Sequence, residues 1–496
     1  MTGTAVQPRT LAQLGLTSPT GDVPVTGLST DSRDVRDGHL FAALPGTEVH
    51  GARFIASALG NGANAILTDR AGAALARDIL RANPVPVILA EDPRQTLAYT
   101  AALWFGRQPE VMVAVTGTNG KTSVASFVRQ IWSALGLPSV NVGTTGVEGA
   151  LSMPLAHTTP EPVTLHRVLA EVVDAGIGHA AMEASSHGLA QRRLDGVRIE
   201  AAAFTNLSQD HLDYHPDLDD YFSAKAGLFD RVLPEDGVAV INCDGLRGAE
   251  MAAVAEVRGQ DVMRVGRSEN AMLRILAQRF DAAGQHLRYS WNGTPGQVRL
   301  DLVGGFQAEN ALTAAGLAIA TGCNPSRVFA VLPELVTVRG RMQRAATRDN
   351  GAPVFVDYAH TPDALKTALA ALRPHVMGRL IVVFGAGGDR DRTKRVLMGQ
   401  AARDGADVRI VTDDNPRSED PAAIRRSILG ADDAAREIGD RAEAILRAVD
   451  MLDSGDALLI AGKGHETGQT VGDTVFPFDD VEQASLAVAA LDGRVA

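Results

Sequence analysis

Short unbroken apolar runs recur along the chain and alternate with longer stretches of helical period rich in Ala, Leu and Arg. They include VMVAV (111–115), HAAME (179–183), GVAVIN (237–242), LIVVFG (380–385), VRIVTDD (408–414) and DALLIAGKG (456–464). A strand that is apolar at nearly every position is buried on both faces. Such strands separated by helices predict parallel sheets covered on each side, an α/β class. No fixed-period repeat and no low-complexity tract interrupts the pattern.

Two breaks divide it. Residues 90–117, AEDPRQTLAYTAALWFGRQPEVMVAVTG, read as a helix, a Pro-containing link and a strand. Residues 333–362, PELVTVRGRMQRAATRDNGAPVFVDYAHTP, read as an Arg- and Gly-rich link before a new strand at Val354–Asp357. A chain of 496 residues exceeds what one core serves, so three domains are predicted, 1–100, 101–338 and 339–496.

Composition narrows the function. Apolar residues make up 45% and charged residues 21%, as in a globular protein, and the net charge of −12 argues against coating nucleic acid. Any anionic ligand must therefore be held by local groups. The two cysteines, Cys243 and Cys323, lack metal-ligand spacing, which speaks against a zinc site or disulfide framework and for a reducing compartment. No secretory signal is read at the start, and no apolar run nears the ~20 residues needed to cross a bilayer. A cytoplasmic protein without a membrane segment is expected.

The first candidate chemistry is VAVTGTNGKTS (113–123). Two glycines and a lysine at the end of an apolar strand suit a phosphate cradle, since turn and helix-start N–H groups point at phosphate oxygens. The long P-loop pattern fails, because Val115 stands where its first glycine would be. Lys121 can still reach the β- and γ-phosphates, and the Thr122 hydroxyl can ligate Mg²⁺. Glu183, ending a neighbouring apolar run, reads as a magnesium ligand or as a solvated strand-end acid. In FTNLSQDHLDYHPDLDDYFSAKAGLF (204–229), Lys225 taken alone reads as a surface lysine, and the His/Asp cluster is a weak metal signal.

TGTNGKT, MEASSHGL, FTNLSQDHLDYH, DYAHTPDAL, GGDRD, DDNPR and GKGHE occur in this order over roughly residues 25–480. Together they closely resemble the Mur ligase family, and within it the branch that adds the third residue of the peptidoglycan stem peptide. The resemblance implies a three-domain α/β architecture: an N-terminal domain for the UDP moiety, a central P-loop parallel-sheet ATPase and a C-terminal Rossmann-like domain for the amino acid. It implies an ATP-dependent amide ligase that activates a carboxylate as an acyl phosphate, acting as a monomer on UDP-N-acetylmuramoyl-L-Ala-D-Glu, meso-diaminopimelate and ATP, with two Mg²⁺ ions.

The resemblance also implies site residues. Gly117, Thr118, Asn119, Gly120, Lys121, Thr122 and Ser123 would hold ATP, with Asn310, Arg341, Asp357 and His360. Thr122, Glu183, His211 and Lys225 would hold magnesium, Lys225 as a carbamate that turns a cation into an oxygen ligand. Lys121, Glu183, His211 and Lys225 form the catalytic set. Thr30, Ser32, Thr47, Glu48, Val49, Thr158, Thr159, Ser185, Gln191 and Arg193 would bind the UDP-sugar peptide, although each hydroxyl alone reads as a cap or turn residue. Arg390, Asp414, Asn415, Pro416, Arg417, Gly462 and Glu466 would bind meso-diaminopimelate. Arg417 would meet its far carboxylate with a planar fork and Glu466 its distal ammonium. Taken alone, Asn310 reads as a helix polar residue, Arg341 and Arg417 as loop cations, and Asp357 with His360 as a strand-end turn. His157, Gln307 and Arg339 depart from the family pattern, where Asn, Asn and Pro are usual. Folylpolyglutamate synthetase, a relative with the same cradle, is the rival enzyme reading, and STDSR (29–33) with DNPR (414–417) argues against it. A non-catalytic regulator is disfavoured by the four catalytic residues occurring together.

Overall fold

The computed structural model describes residues 7–46, 49–208, 214–281, 283–430, 432 and 434–493. Three expected site residues, Thr47, Glu48 and His211, lie outside them. The chain forms two compact units, residues 1–271 with 313–324 and residues 272–312 with 325–496.

The first unit holds two parallel sheets. Strands Gly27–Ser29, His39–Ala42, Ala65–Thr68 and Val87–Leu89 pair in chain order. The larger sheet orders its strands Asp261–Gly266, Val238–Asn242, Ala201–Phe204, Val111–Thr116, His179–Glu183 and Ser139–Gly143, all parallel. An antiparallel strand, Gly146–Gly149, closes that end. Val111–Thr116 lies centrally, and the next strand in the chain, Ser139–Gly143, lies two places away on one side while Ala201–Phe204 lies on the other. The connections thus reverse direction at its carboxyl end, where α/β sheets open a ligand crevice.

In the second unit, strands Leu273–Asp281, Gly284–Trp291 and Thr294–Leu300 form an antiparallel meander. The sequence reading did not foresee it. A separate six-stranded sheet runs Gln343–Thr347, Pro353–Asp357, Ala457–Ala461, Leu380–Phe384, Val408–Val411, Arg436–Glu437, parallel except for the first pair. Part of the Arg- and Gly-rich link is therefore an edge strand. Alternate residues feed two cores. Phe355, Val382, Phe384, Leu459 and Ala461 enter one, and Val354, Val356, Ile381, Val383, Leu458 and Ile460 enter the other. That two-sided burial explains why these strands read as continuous apolar runs.

Four helix starts share one local recipe. Asp92, Glu161, Thr361 and Asp420 each accept a backbone N–H at a helix N-terminus and are each followed by proline. The side chain satisfies an orphan donor, and proline sits where no intrahelical N–H is needed.

Helix Pro162–Asp174 carries His166, fully buried and, among the described residues, with neither ring nitrogen hydrogen-bonded. Burial lowers its pKa from 6.5 to about 4, so it folds neutral. The unfolded chain takes up a proton below pH 6.5 that the folded chain refuses. The neutral ring therefore imposes no pH-dependent loss above that value, and stability falls as pH drops from 6.5 toward 4. The slope approaches about 1.4 kcal/mol per pH unit. His166→Leu is expected to flatten this limb of the unfolding midpoint against pH. An equally steep limb in the variant would assign the acid sensitivity elsewhere.

Candidate active site

The Gly-rich turn after strand Val111–Thr116 leads directly into a helix N-terminus, the geometry expected of the candidate cradle. Gly117 adopts φ 145° and Gly120 φ 88°, and Gly120 caps the helix Lys121–Ala134. A Cβ on Gly117 would lie 1.9 Å from Thr205 Oγ1, so only glycine fits there. Thr205 Oγ1 donates to Asn119 O at 2.6 Å, and Asn206 Oδ1 accepts from Asn119 N at 3.0 Å. Thr118 Oγ1 accepts from Ser208 N and lies 3.2 Å from Tyr221 Oη. Thr205, Asn206 and Tyr221 thus brace the turn. The first two stand in the quoted FTNLSQ motif, yet their role was not read from the sequence.

Lys121 Nζ donates to Gly117 O and Thr118 O, both at 2.9 Å. Thr122 Oγ1 donates to Glu183 Oε2 at 2.9 Å, and Thr144 N donates to Glu183 Oε1 at 2.7 Å. Glu183 is only 2% exposed, so it is not the solvated strand-end acid of the alternative reading. Among the described residues no lysine or arginine pairs with it. An oxygen-only pair with a buried carboxylate lacking a protein cation suits a hard divalent ion, so Thr122 and Glu183 fit magnesium. Lys225 is 1% exposed, with Nζ donating to Gly117 O at 2.8 Å and lying 4.3 Å from the Tyr221 ring centroid. The surface-lysine reading is thereby excluded.

Around the end of strand His179–Glu183, four expected substrate residues meet. Thr159 Oγ1 donates to Glu183 O and accepts from Ser185 N. Arg193 donates to Thr159 O and to Gln191 Oε1. Ser185 is also a cap, accepting from Gly188 N. Thr158 joins through Thr144, whose hydroxyl lies 3.1 Å from Thr158 Oγ1. Thr30 and Ser32 follow strand Gly27–Ser29 in the other sheet, and Val49 is exposed. Among the described residues no hydrogen bond links these three to the Glu183 cluster.

In the second unit, the Arg341 guanidinium lies 4.8 Å from the Tyr358 ring centroid. Asp357 accepts from Met342 N at 2.7 Å and Ala359 N at 2.9 Å. Desolvation pushes its carboxyl above the usual range, opposed by Arg341 and those N–H groups. His360 Nδ1 is 2.8 Å from Tyr358 O. Asn310 donates to Gln307, so one departure from the family pattern hydrogen-bonds a predicted nucleotide contact. Another, Arg339, forms an ion pair with Asp479. His157 is exposed.

The loops at the carboxyl ends of Val408–Val411 and Ala457–Ala461 carry the residues expected to bind the amino acid, except Arg390, which follows strand Leu380–Phe384. Arg417 holds φ 52°, its N donates to Thr470 O, and its O accepts from Gly472 N. That pairing to hairpin Gly468–Pro477 keeps a non-glycine residue in left-handed backbone. One guanidinium nitrogen, Nη1, donates to Gly388 O at 2.8 Å, and among the described residues no hydrogen bond uses Nε or Nη2. A two-donor edge is left for a carboxylate. A Cβ on Gly387 would lie 2.8 Å from Arg417 Nη1 and 3.9 Å from Arg390 Cγ, so both arginines flank that glycine. Arg390 itself is exposed. Asn415 Nδ2 donates to Glu466 Oε2 at 2.9 Å. Gly462 packs so closely that a Cβ would sit 2.5 Å from Asp414 Oδ2. A Cβ on Gly388 would likewise lie 1.9 Å from Pro416 O. Beneath the loops, Arg441 and Asp480 are fully buried and ion-paired at 2.7 Å, and Arg441 also donates to Ala461 O and Asp413 O. Lys463, inside the quoted GKGHE, is fully buried and had no assigned role.

Three family models match the chain in order. These are the Mur ligase family catalytic domain over residues 24–104, the Mur ligase middle domain over 115–318, and the Mur ligase glutamate ligase domain over 340–464. Curated relatives named UDP-N-acetylmuramoyl-L-alanyl-D-glutamate--2,6-diaminopimelate ligase include one from Brucella melitensis biotype 1. It is 50% identical over 95% of both chains. Another, from Bradyrhizobium diazoefficiens, is 51% identical over 94% of this chain and 95% of its own. A solved structure of the same name superposes with TM-score 0.73 at 34% identity, covering 98% of this chain and 99% of the other. The expected three-domain α/β architecture is borne out by the ordered models and this likeness. The chain belongs to the Mur ligase family.

Proposed function

We propose that this chain joins meso-2,6-diaminopimelate to the D-glutamyl γ-carboxylate of UDP-N-acetylmuramoyl-L-alanyl-D-glutamate in an ATP-dependent reaction of peptidoglycan precursor synthesis. It works as a cytoplasmic monomer, with residues 1–100, 101–338 and 339–496 serving the UDP-sugar, ATP and the amino acid. The observation that carries the reading is identity at half of all positions to relatives of that name over 94–95% of the chain. Phosphate release from ATP with the UDP-dipeptide and a panel of amino acids tests it. Release that is indifferent to the amino acid or to the UDP-sugar would refute it.

The reaction places negative charge between two anions, a nucleotide and a carboxylate, so the residues must supply cations and oriented N–H donors. The N–H groups of Gly117 to Ser123 cradle phosphate oxygens. Lys121, poised on the carbonyls of its own turn, exchanges those bonds for phosphate and stabilises charge as the γ-phosphoryl group moves to the glutamyl carboxylate. Magnesium, held by Thr122, Glu183, carbamylated Lys225 and His211, supplies charge neutralisation when bound. Thr159, Ser185, Gln191 and Arg193 orient the sugar-peptide, with Thr30, Ser32, Thr47, Glu48, Val49 and Thr158. Asn310, Arg341, Asp357 and His360 serve the nucleotide. The amine of diaminopimelate then attacks the acyl phosphate, and phosphate leaves the tetrahedral intermediate.

Selectivity follows from the far end of the amino acid. L-Lysine lacks the second carboxylate that the free edge of Arg417 suits, and binding it leaves that edge unpaired. A lost charged hydrogen bond costs about 1.5–3 kcal/mol, which corresponds to roughly 10- to 150-fold. We expect strong preference for meso-diaminopimelate over L-lysine in kcat/KM, and Arg417→Ala should weaken it by such a factor. Equal turnover with both amino acids would remove the substrate assignment and leave the ligase reading standing.

A further inference from the structure

Lys463 stands outside every role assigned above, yet its ammonium is among the most enclosed charges in the protein. Its side chain is fully buried. The three N–H donors of an ammonium meet three acceptors: Asn415 Oδ1 at 3.1 Å, Glu466 Oε2 at 3.1 Å and Gly468 O at 2.5 Å. A buried ammonium is costly unless all its donors are satisfied, and here they are. Asn415 is fixed by the same contact. Its Oδ1 also accepts from Thr470 N at 2.9 Å, so a flipped amide would set an NH₂ group against an ammonium and an N–H. Its Nδ2 is thereby turned to Glu466 Oε2. Oε2 accepts two bonds, and among the described residues Oε1 accepts none. One oxygen is anchored and the other is presented.

We propose that Lys463 is a positioning residue for the incoming diamino acid: it pins Glu466 through Oε2, so that Oε1 faces the distal ammonium. Because it also holds Gly468, at the start of the hairpin that pairs with Arg417, one buried cation sets both the acid and the backbone of the arginine. The proposal rests on the pocket reading above, in which Glu466 receives that ammonium.

The test compares meso-diaminopimelate with 2-aminopimelate, which keeps the distal carboxylate and lacks the distal amine. The unmutated enzyme should favour the diamino acid by ten-fold or more in kcat/KM. Lys463→Met, which fills the stem volume without the charge, should erase most of that discrimination through KM. The KM for ATP and kcat at saturating amino acid should stay near normal. Lys463→Met combined with Glu466→Gln should discriminate no worse than Glu466→Gln alone. Should Lys463→Met fail to fold, Lys463→Gln, which can keep a donor to Gly468 O, carries the same comparison. Unchanged discrimination in the lysine variant, or effects that simply multiply in the double variant, would overturn the role of Lys463. Discrimination unmoved by Glu466→Gln would instead overturn the pocket reading beneath it.

Discussion

Lys121→Ala is expected to cut turnover on the order of 10³-fold at saturating substrates, the size seen when one preorganised charge-stabilising donor is removed from a site. Two features of the structure separate this from a folding effect. The turn is held by Thr205, Asn206 and Thr118, whose bonds do not involve the lysine side chain. The bonds lost include two donations to backbone carbonyls of the same turn. Each is worth about 1 kcal/mol net, so the unfolding midpoint should move by only a few degrees. Phosphate release beside a thermal melt decides the matter. Near-normal turnover in the folded variant would sink the phosphate-cradle reading.

Lys225→Ala is the second large effect, and its direction of rescue carries the information. In the structure Nζ is a buried donor to Gly117 O, 4.3 Å from the Tyr221 ring centroid. As a plain ammonium it would anchor the first glycine of the cradle. As a carbamate it would bring an anionic oxygen toward the cradle instead. Both roles predict near-complete loss of activity on truncation. They differ in what refills the space: formate or acetate restores part of the activity if a carboxylate-like group is needed, and methylammonium does so if the cation is. Carboxylate rescue with no response to the amine is the expected result. The opposite pattern would withdraw the carbamate and leave Lys225 as a structural anchor.

The sequence was most readable where burial is two-sided. Strands such as Leu380–Phe384 and Ala457–Ala461 have no solvent face, so their apolar runs pointed to the central sheets without ambiguity. The antiparallel meander at 273–300 was legible in principle and went unread. Asn292 and Gly293, with φ 47° and 79°, form the Asn-Gly turn that marks a two-residue hairpin. The candidate site was legible where a residue type fixes local geometry, as with the turn glycines Gly117 and Gly120 before helix Lys121–Ala134. It was not legible where tertiary packing decides. Lys225 and Lys463 are both lysines whose character depends on walls contributed by distant segments. Nothing near Lys225 in the chain announces the carbonyl of Gly117, 108 positions away.

The Arg441–Asp480 pair has a consequence for the distal end of the chain. Asp480 opens the helix Asp480–Leu491, while Arg441 reaches the carbonyls of Ala461 and Asp413, where the two candidate-site loops begin. Breaking such a pair by removing one member costs about 3–5 kcal/mol, a large part of the stability of a whole domain. Truncating the chain before this helix would therefore strand a bare guanidinium beneath the loops proposed to hold the amino acid. Asp480 lies beyond every motif of the candidate pocket, and through Arg441 it is the counter-ion beneath the loops that would form it.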